Sequence, residues 1–263
     1  EIATERRGAA VHSAGSQQLP LARVRNVRDL GGCAYRAEDG SQGETAYGIF
    51  LRGPSLRKLT PGDYEYLQEY GEGLKCVVDL RSDFEVGHWP DPYARGRDGV
   101  AYVHVQMLDQ LNSGKFRDAL PIAVDGVQGL LDNHASSIRR VMESIDAFGQ
   151  DGCTLFHCRA GKDRTGVVAM LLLGLAGVSD EDIVADYAAT QRYLGRGMRA
   201  QRVAVSALLC VALLVACSAI PAEMELTLEH LHERYGTVRE YLEGHAGVPV
   251  AVLDRIAHRL RFG

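Results

Sequence analysis

The decisive stretch is His157-Cys158-Arg159-Ala160-Gly161-Lys162-Asp163-Arg164-Thr165-Gly166. Cys153–His157 (CTLFH), which leads into it, reads as a short buried strand. The run 165–175 (TGVVAMLLLGL) that leaves it is apolar on every face and predicts a helix at the centre of a domain. A loop between such a strand and such a helix aims backbone N–H groups at a helix N-terminus, which is an anion site. Cys158 at its mouth is exposed to the positive end of the helix dipole and to Lys162 and Arg164, all of which favour thiolate. Arg164 returns to the same bowl and matches a phosphoryl group bidentately. A thiolate under a phosphate cradle is equipped for phosphoryl transfer through a cysteinyl-phosphate. A nucleotide-binding G-x-x-x-x-G-K-[ST] loop does not fit, because Phe156 stands where the first glycine belongs and Asp163 follows Lys162.

Outward from the loop, short apolar runs alternate with helical patterns. Strands are expected at 47–52 (YGIFLR), 75–80 (KCVVDL) and 100–105 (VAYVHV), with a shorter one in 25–30 ending at a glycine turn. Thr60-Pro61-Gly62-Asp63 starts a helix that ends near Gly71 or Gly73, and 138–148 is amphipathic. Ser179 and Asp182 form a capping box for a helix over 181–194, and further helices are expected at 203–220, 223–235 and 248–261. The segment 36–46 has turn chemistry, and 1–19 is polar and small and reads as a flexible arm. The pattern predicts one α/β domain over 20–263: a mostly parallel sheet flanked by helices, with a helical C-terminal part from 195 onward.

Composition narrows the partners. Lys+Arg is 29 against Asp+Glu 34, a net charge of −5, so no overall positive field holds a nucleic-acid polymer and an anion site must be local. The six cysteines show neither C-x-x-C nor zinc spacing, so neither a disulfide scaffold nor a metal is expected. No cofactor is implied. Cysteine usage favours a reducing cytoplasm and leaves secretion open.

The ten-residue string resembles the H-C-x5-R mark of cysteine-based protein tyrosine phosphatases, and more narrowly a bacterial family of tyrosine and phosphoinositide phosphatases. Asn26-Val27-Arg28-Asp29-Leu30-Gly31-Gly32 is similar to that family's N-F-R-D-L-G-G entry segment. Further blocks match at Leu51-Arg52, at Val77–Ser82 with Glu85, at Asp182–Tyr187 and at Tyr235-Gly236 with Tyr241-Leu242. The resemblance implies a protein tyrosine phosphatase-like fold and hydrolysis of a phosphate monoester: a phosphotyrosine protein, a phosphoinositide or a phosphorylated metabolite. It makes Cys158 the nucleophile and Arg164 the phosphate clamp. Arg159, Ala160, Gly161, Lys162, Asp163, Arg164 and Thr165 line the cradle, and His157 orients it. It ties Lys162 to multiply phosphorylated substrates. Arg28, Asp29, Arg52 and Arg81 are expected to brace the loop and sheet.

Three aspartates compete as general acid. Asp163 stands inside the cradle, where the like charge of a bound phosphate favours the protonated form that a donor needs, and the resembled family is thought to use it. Asp109 follows 100–105 and so stands at the carboxyl edge of a parallel sheet, the edge that bears the sites of such folds. Trp89-Pro90-Asp91 spells an acid-bearing tripeptide of larger tyrosine phosphatases, but it precedes 100–105 and is read as a coincidence at the amino edge. The order is Asp163, then Asp109.

Eighteen residues, 203–220 (VAVSALLCVALLVACSAI), carry no charge. A buried or lid helix is preferred there over membrane contact, because the segments after it still match the catalytic domain. Two alternatives to hydrolysis are a rhodanese-like sulfurtransferase and a non-catalytic phospho-binding module. An oxidised Cys158 is expected to be resolved, if at all, by Cys76 or Cys153.

Overall fold

The computed structural model describes residues 18–107, 127–201 and 221–263, with backbone alone at 194–201. The arm (up to residue 17), Asp109 and the run 203–220 lie outside the described residues. The central sheet has the order β1 (Arg28–Asp29), β4 (Phe50–Gly53), β7 (Cys153–His157), β5 (Leu74–Asp79) and β6 (Ala101–His104). β4, β7, β5 and β6 are parallel neighbours, and β1 runs antiparallel on β4. The architecture is mixed α/β with a mostly parallel sheet.

Alternation along the strands sends side chains to two apolar layers. Phe50, Cys76, Val78 and Phe156 face the larger layer, with α3 (Gly129–Asn133), α4 (Ala135–Gly149), α5 (Asp163–Ala176), α6 (Asp180–Gln201), α7 (Pro221–Tyr235) and α8 (Val250–Phe262). Leu51, Val77, Cys153 and Leu155 face the smaller layer, with Leu67 of α1 (Pro61–Glu69). Eleven of the fourteen residues of α5 are buried, as an all-apolar helix requires. Thr60 caps α1 in a capping box with Asp63, and the Ser179 hydroxyl accepts from the Asp182 amide.

Several expectations are corrected. The segment 36–46 is not only turn: β2 (Ala34–Arg36) and β3 (Gln42–Glu44) pair as an antiparallel hairpin. Leu19 belongs to the core rather than the arm, being 2% exposed, with its N–H donating to the Val27 carbonyl. The strand expected from residue 47 begins at Phe50, and α6 runs seven residues beyond 194 to Gln201. A short helix, α2 (Asp83–His88), stands between β5 and β6, capped by Ser82 and Glu85. At six residues it is too short to show an apolar period.

Candidate active site

β7 delivers Cys158 to the carboxyl edge of the sheet, and α5 begins five residues later at Asp163. The loop between them turns at Gly161, whose φ is +71°. A side chain there would also come within 2.7 Å of the Gly53 and Pro54 backbone, so glycine alone fits. The first amides of α5 have no partner in their own helix and supply the positive end of its dipole.

Cys158 is 3% exposed, and its sulfur accepts the Gly161 N–H at 3.3 Å. Burial pushes its thiol up, but the Arg164 guanidinium and hydrogen bonds from Thr165 outweigh it, so the thiol is held below its ordinary value. Arg164 is gripped on both nitrogens by Glu85 of α2, at 2.6 and 3.1 Å. Burial works against the Glu85 carboxylate, yet the bonds to Arg164 hold it below its ordinary range. Glu85 thus aims the arginine, a role that only its place in the Val77–Ser82 block hinted at.

His157 sits behind the cysteine, fully buried, with Nε2 3.2 Å from Asp91 Oδ2 and 3.9 Å from Asp79 Oδ2. Its Nδ1 lies 3.2 Å from the Cys158 carbonyl oxygen. Burial disfavours its charged form, but the two carboxylates prevail and raise it above the ordinary histidine value. The amino-edge reading of Asp91 is therefore overturned. α2 does not carry the chain back across the sheet, so Trp89 and Asp91 remain near the carboxyl edge. Asp91 points under the loop at His157 and is 2% exposed, so it is a supporting group. Asp79, Asp91 and His157 converge as metal ligands would, but the Arg81 guanidinium shares the space, with Nη2 2.6 Å from Asp79 and 3.9 Å from Asp91. A cation already balances the pair.

Lys162 and Asp163 form a second cluster. Lys162 is 5% exposed, with Nζ 3.1 Å from Asp163 Oδ1 and 3.2 Å from Glu223 Oε2 of α7. The Tyr187 hydroxyl of α6 lies 2.9 and 2.6 Å from the same two oxygens. An ammonium and a phenol therefore bridge two carboxylates and tie the loop to the helical C-terminal part. Gly166 admits this arrangement, because a methyl there would meet the Tyr187 ring at 2.8 Å. Neither Tyr187 nor Glu223 was singled out as a site residue from the sequence, and no local signal marks Glu223.

The bracing arginines behave as expected. Arg28 and Arg52 both grip the buried Asp186 carboxylate, and Arg52 also donates to the Gly161 carbonyl at 3.0 Å. Arg81 chelates Asp79 and donates to the Trp89 carbonyl at 2.8 Å. Asp29 accepts the Gly31 and Gly48 amides and the Tyr70 hydroxyl. The redox pairing fails on geometry. Cys153 opens β7 and Cys76 pairs beside Thr154, which puts both roughly 13–16 Å along the strands from Cys158. A disulfide needs Cα atoms within roughly 7 Å. No helix among the described residues is long and apolar enough to cross a membrane.

Comparison with known proteins places this geometry in a family. A model described as a tyrosine phosphatase family matches residues 19–262. A tyrosine-protein phosphatase of Nostoc commune is 36% identical over 148 residues, 55% of this chain and 49% of that protein. A putative tyrosine-protein phosphatase of Cupriavidus necator is 33% identical over 188 residues, 68% of this chain and 65% of that one. The matches thus span about half to two thirds of those relatives' lengths. A crystal structure of P. aeruginosa TpbA aligns with 58% of this chain and 75% of its own, at 16% identity and a TM-score of 0.34, too distant to bear on the site. The residues that build the cradle and the match across nearly the whole chain lead to one conclusion: this chain belongs to the tyrosine phosphatase family.

Proposed function

We propose that the chain hydrolyses phosphate monoesters, with phosphotyrosine in proteins as the substrate class, through a covalent intermediate on Cys158. The observation that carries this reading is a buried sulfur held toward thiolate by Arg164, Thr165 and the Gly161 amide. The thiolate attacks phosphorus in line and forms the S–P bond as the P–O bond to the leaving group breaks. The cradle amides and Arg164 take up the charge on the three equatorial oxygens. Asp163 protonates the departing oxygen, then takes a proton from the water that cleaves the S–P bond and frees phosphate. Asp109 is the other candidate for that proton. No step uses a metal or a cofactor.

Family membership supports this reading over sulfur transfer, and the intact Cys158 and Arg164 support it over binding without turnover. The test is an acid quench during turnover of p-nitrophenyl phosphate, followed by peptide mapping. Phosphate on the Cys158 peptide of the wild type, none on Cys158→Ser, and a rate unchanged by EDTA are expected. Turnover that survives Cys158→Ser overturns the mechanism.

A further inference from the structure

Beside the cradle the fold holds a cavity of about 650 Å³ whose lining includes Arg23, Arg25, Arg57, Lys58, Arg159 and Trp89. Among the described residues no acidic side chain lines it. In a chain of net charge −5, five exposed cations from three separate segments share one concavity. None of the five makes an ion pair among the described residues. Arg81 also contributes to the wall, but Asp79 takes up its charge. A cleft lined by one sign of charge repels itself and focuses its field outward, so it is built for an anion from outside.

Two of these cations are already posed. The guanidinium of Arg159 lies 4.8 Å from the centre of the Trp89 ring and that of Arg57 lies 5.9 Å from it. An aromatic face keeps a guanidinium ordered and leaves its N–H edge free for a two-pronged grip on a carboxylate. The cavity adjoins the cradle at Arg159, which belongs to both. Its carbonyl accepts the Ser55 N–H at 3.2 Å, and Asn26 donates to the Ala160 and Gly161 carbonyls at 3.4 and 3.3 Å. The Ser55 wall of the cavity is thus tied to the loop at Arg159, and Asn26, next to Arg25, to the following two residues. The chemistry at Cys158 uses none of the five cationic side chains.

We propose that this cavity is a second anion subsite that receives acidic side chains flanking a phosphotyrosine, making acidic phosphopeptides the preferred substrates. The inference rests on the phosphatase reading above. A peptide suits the wall because its cations come from three segments spread across a wide cavity. Val24, Pro54 and Tyr193 lie between them as apolar contacts for side-chain stems.

The test compares kcat/KM of the wild type and of Arg25→Glu/Arg57→Glu on four substrates. These are p-nitrophenyl phosphate, a phosphotyrosine peptide with glutamates around the tyrosine, its glutamine counterpart, and vesicles carrying a multiply phosphorylated inositol lipid. The wild type is expected to prefer the acidic peptide, and the variant to lose about tenfold or more on it, through KM. The glutamine peptide and p-nitrophenyl phosphate are expected to change less than about twofold, and added salt to erode the preference. Both altered residues are exposed, and an unchanged melting temperature verifies the fold of the variant. Equal loss on every substrate, no preference in the wild type, or a loss confined to the lipid vesicles each overturn the proposal. If p-nitrophenyl phosphate is not turned over at all, the phosphatase reading fails instead. Fluorescence-polarisation binding of the acidic and glutamine peptides to Cys158→Ser, with and without the two arginine changes, then still decides on the subsite.

Discussion

β7 carries a cysteine at its first residue and another just past its last, and the two have opposite chemistry. Cys153 and Cys158 are both buried. At Cys153, burial drives the thiol well above its ordinary value, and Asp29 adds to the effect. Arg259 pulls the other way there and does not prevail. At Cys158 burial pushes up just as it does at Cys153, yet the balance falls below the ordinary thiol. The Arg164 guanidinium, together with the hydrogen bonds from Thr165 and Gly161, distinguishes the carboxyl end, where the chain turns into a helix N-terminus. Cys33 and Cys76, away from that edge, are pushed up to about 12 by burial.

The largest expected effect breaks the contrast outright. Cys158→Ser should lower turnover by at least about a thousandfold. Cys153→Ser should leave turnover within about threefold while costing about 1–3 kcal/mol of stability in a urea melt, because it buries a hydroxyl in an apolar layer. Next comes the guanidinium. Glu85→Ala frees Arg164 from its anchor and should reduce kcat by about a hundredfold, since misplacing a clamp by an ångström has that cost, and should also lower the melting temperature, because it opens the α2 capping box and leaves a buried guanidinium unpaired.

A milder experiment sharpens the contrast. The rate of iodoacetamide labelling of native protein should rise with pH and level off below the ordinary thiol value of about 8.5 at Cys158, alone among the four described cysteines. Because that thiol is lowered, its reactive form persists above the lowered value and disappears as pH falls through it. Cys33, Cys76 and Cys153 should stay unlabelled near pH 8, as peptide mapping would show.

The smallest effect concerns the support beneath the loop. His157 is raised, so its charged form contributes stability that is fully present below about pH 6.5 and lost as pH rises through the raised value. Asp91→Asn removes one source of that shift. Its melting temperature should therefore fall further below wild type near pH 5.5 than near pH 9. An equal drop at both would show that Asp91 acts by packing alone.

The legible parts were those whose causes are local in the chain. Cys153–His157 emerges as a strand with the expected bounds, and α5 as the buried helix after it, because their apolar patterns span whole elements. The hairpin of β2 and β3 was hidden because each strand is only three residues long, β3 is exposed throughout and β2 buries Tyr35 alone, too little for a period to be read. Cys76 and Cys153 were plausible partners for Cys158 by composition, and strand geometry removed them. Asp91 lay in a familiar tripeptide whose meaning depended on the path of a six-residue helix.

By itself, the order of residues determined the reactive loop. Nucleophile, glycine turn, arginine and the start of a buried helix lie within one contiguous string, and their chemistry follows from spacing along a single chain. Only the tertiary structure decided what holds that loop in place. Glu85 reaches Arg164 from 79 residues away, and Asp186 joins Arg28 and Arg52 across 158 and 134. Glu223 reaches Lys162 from another helix, and the cations beside Trp89 gather from three segments. Charges that distant along the chain meet only when the sheet and helices have packed, and nothing in their own neighbourhoods announces the partner.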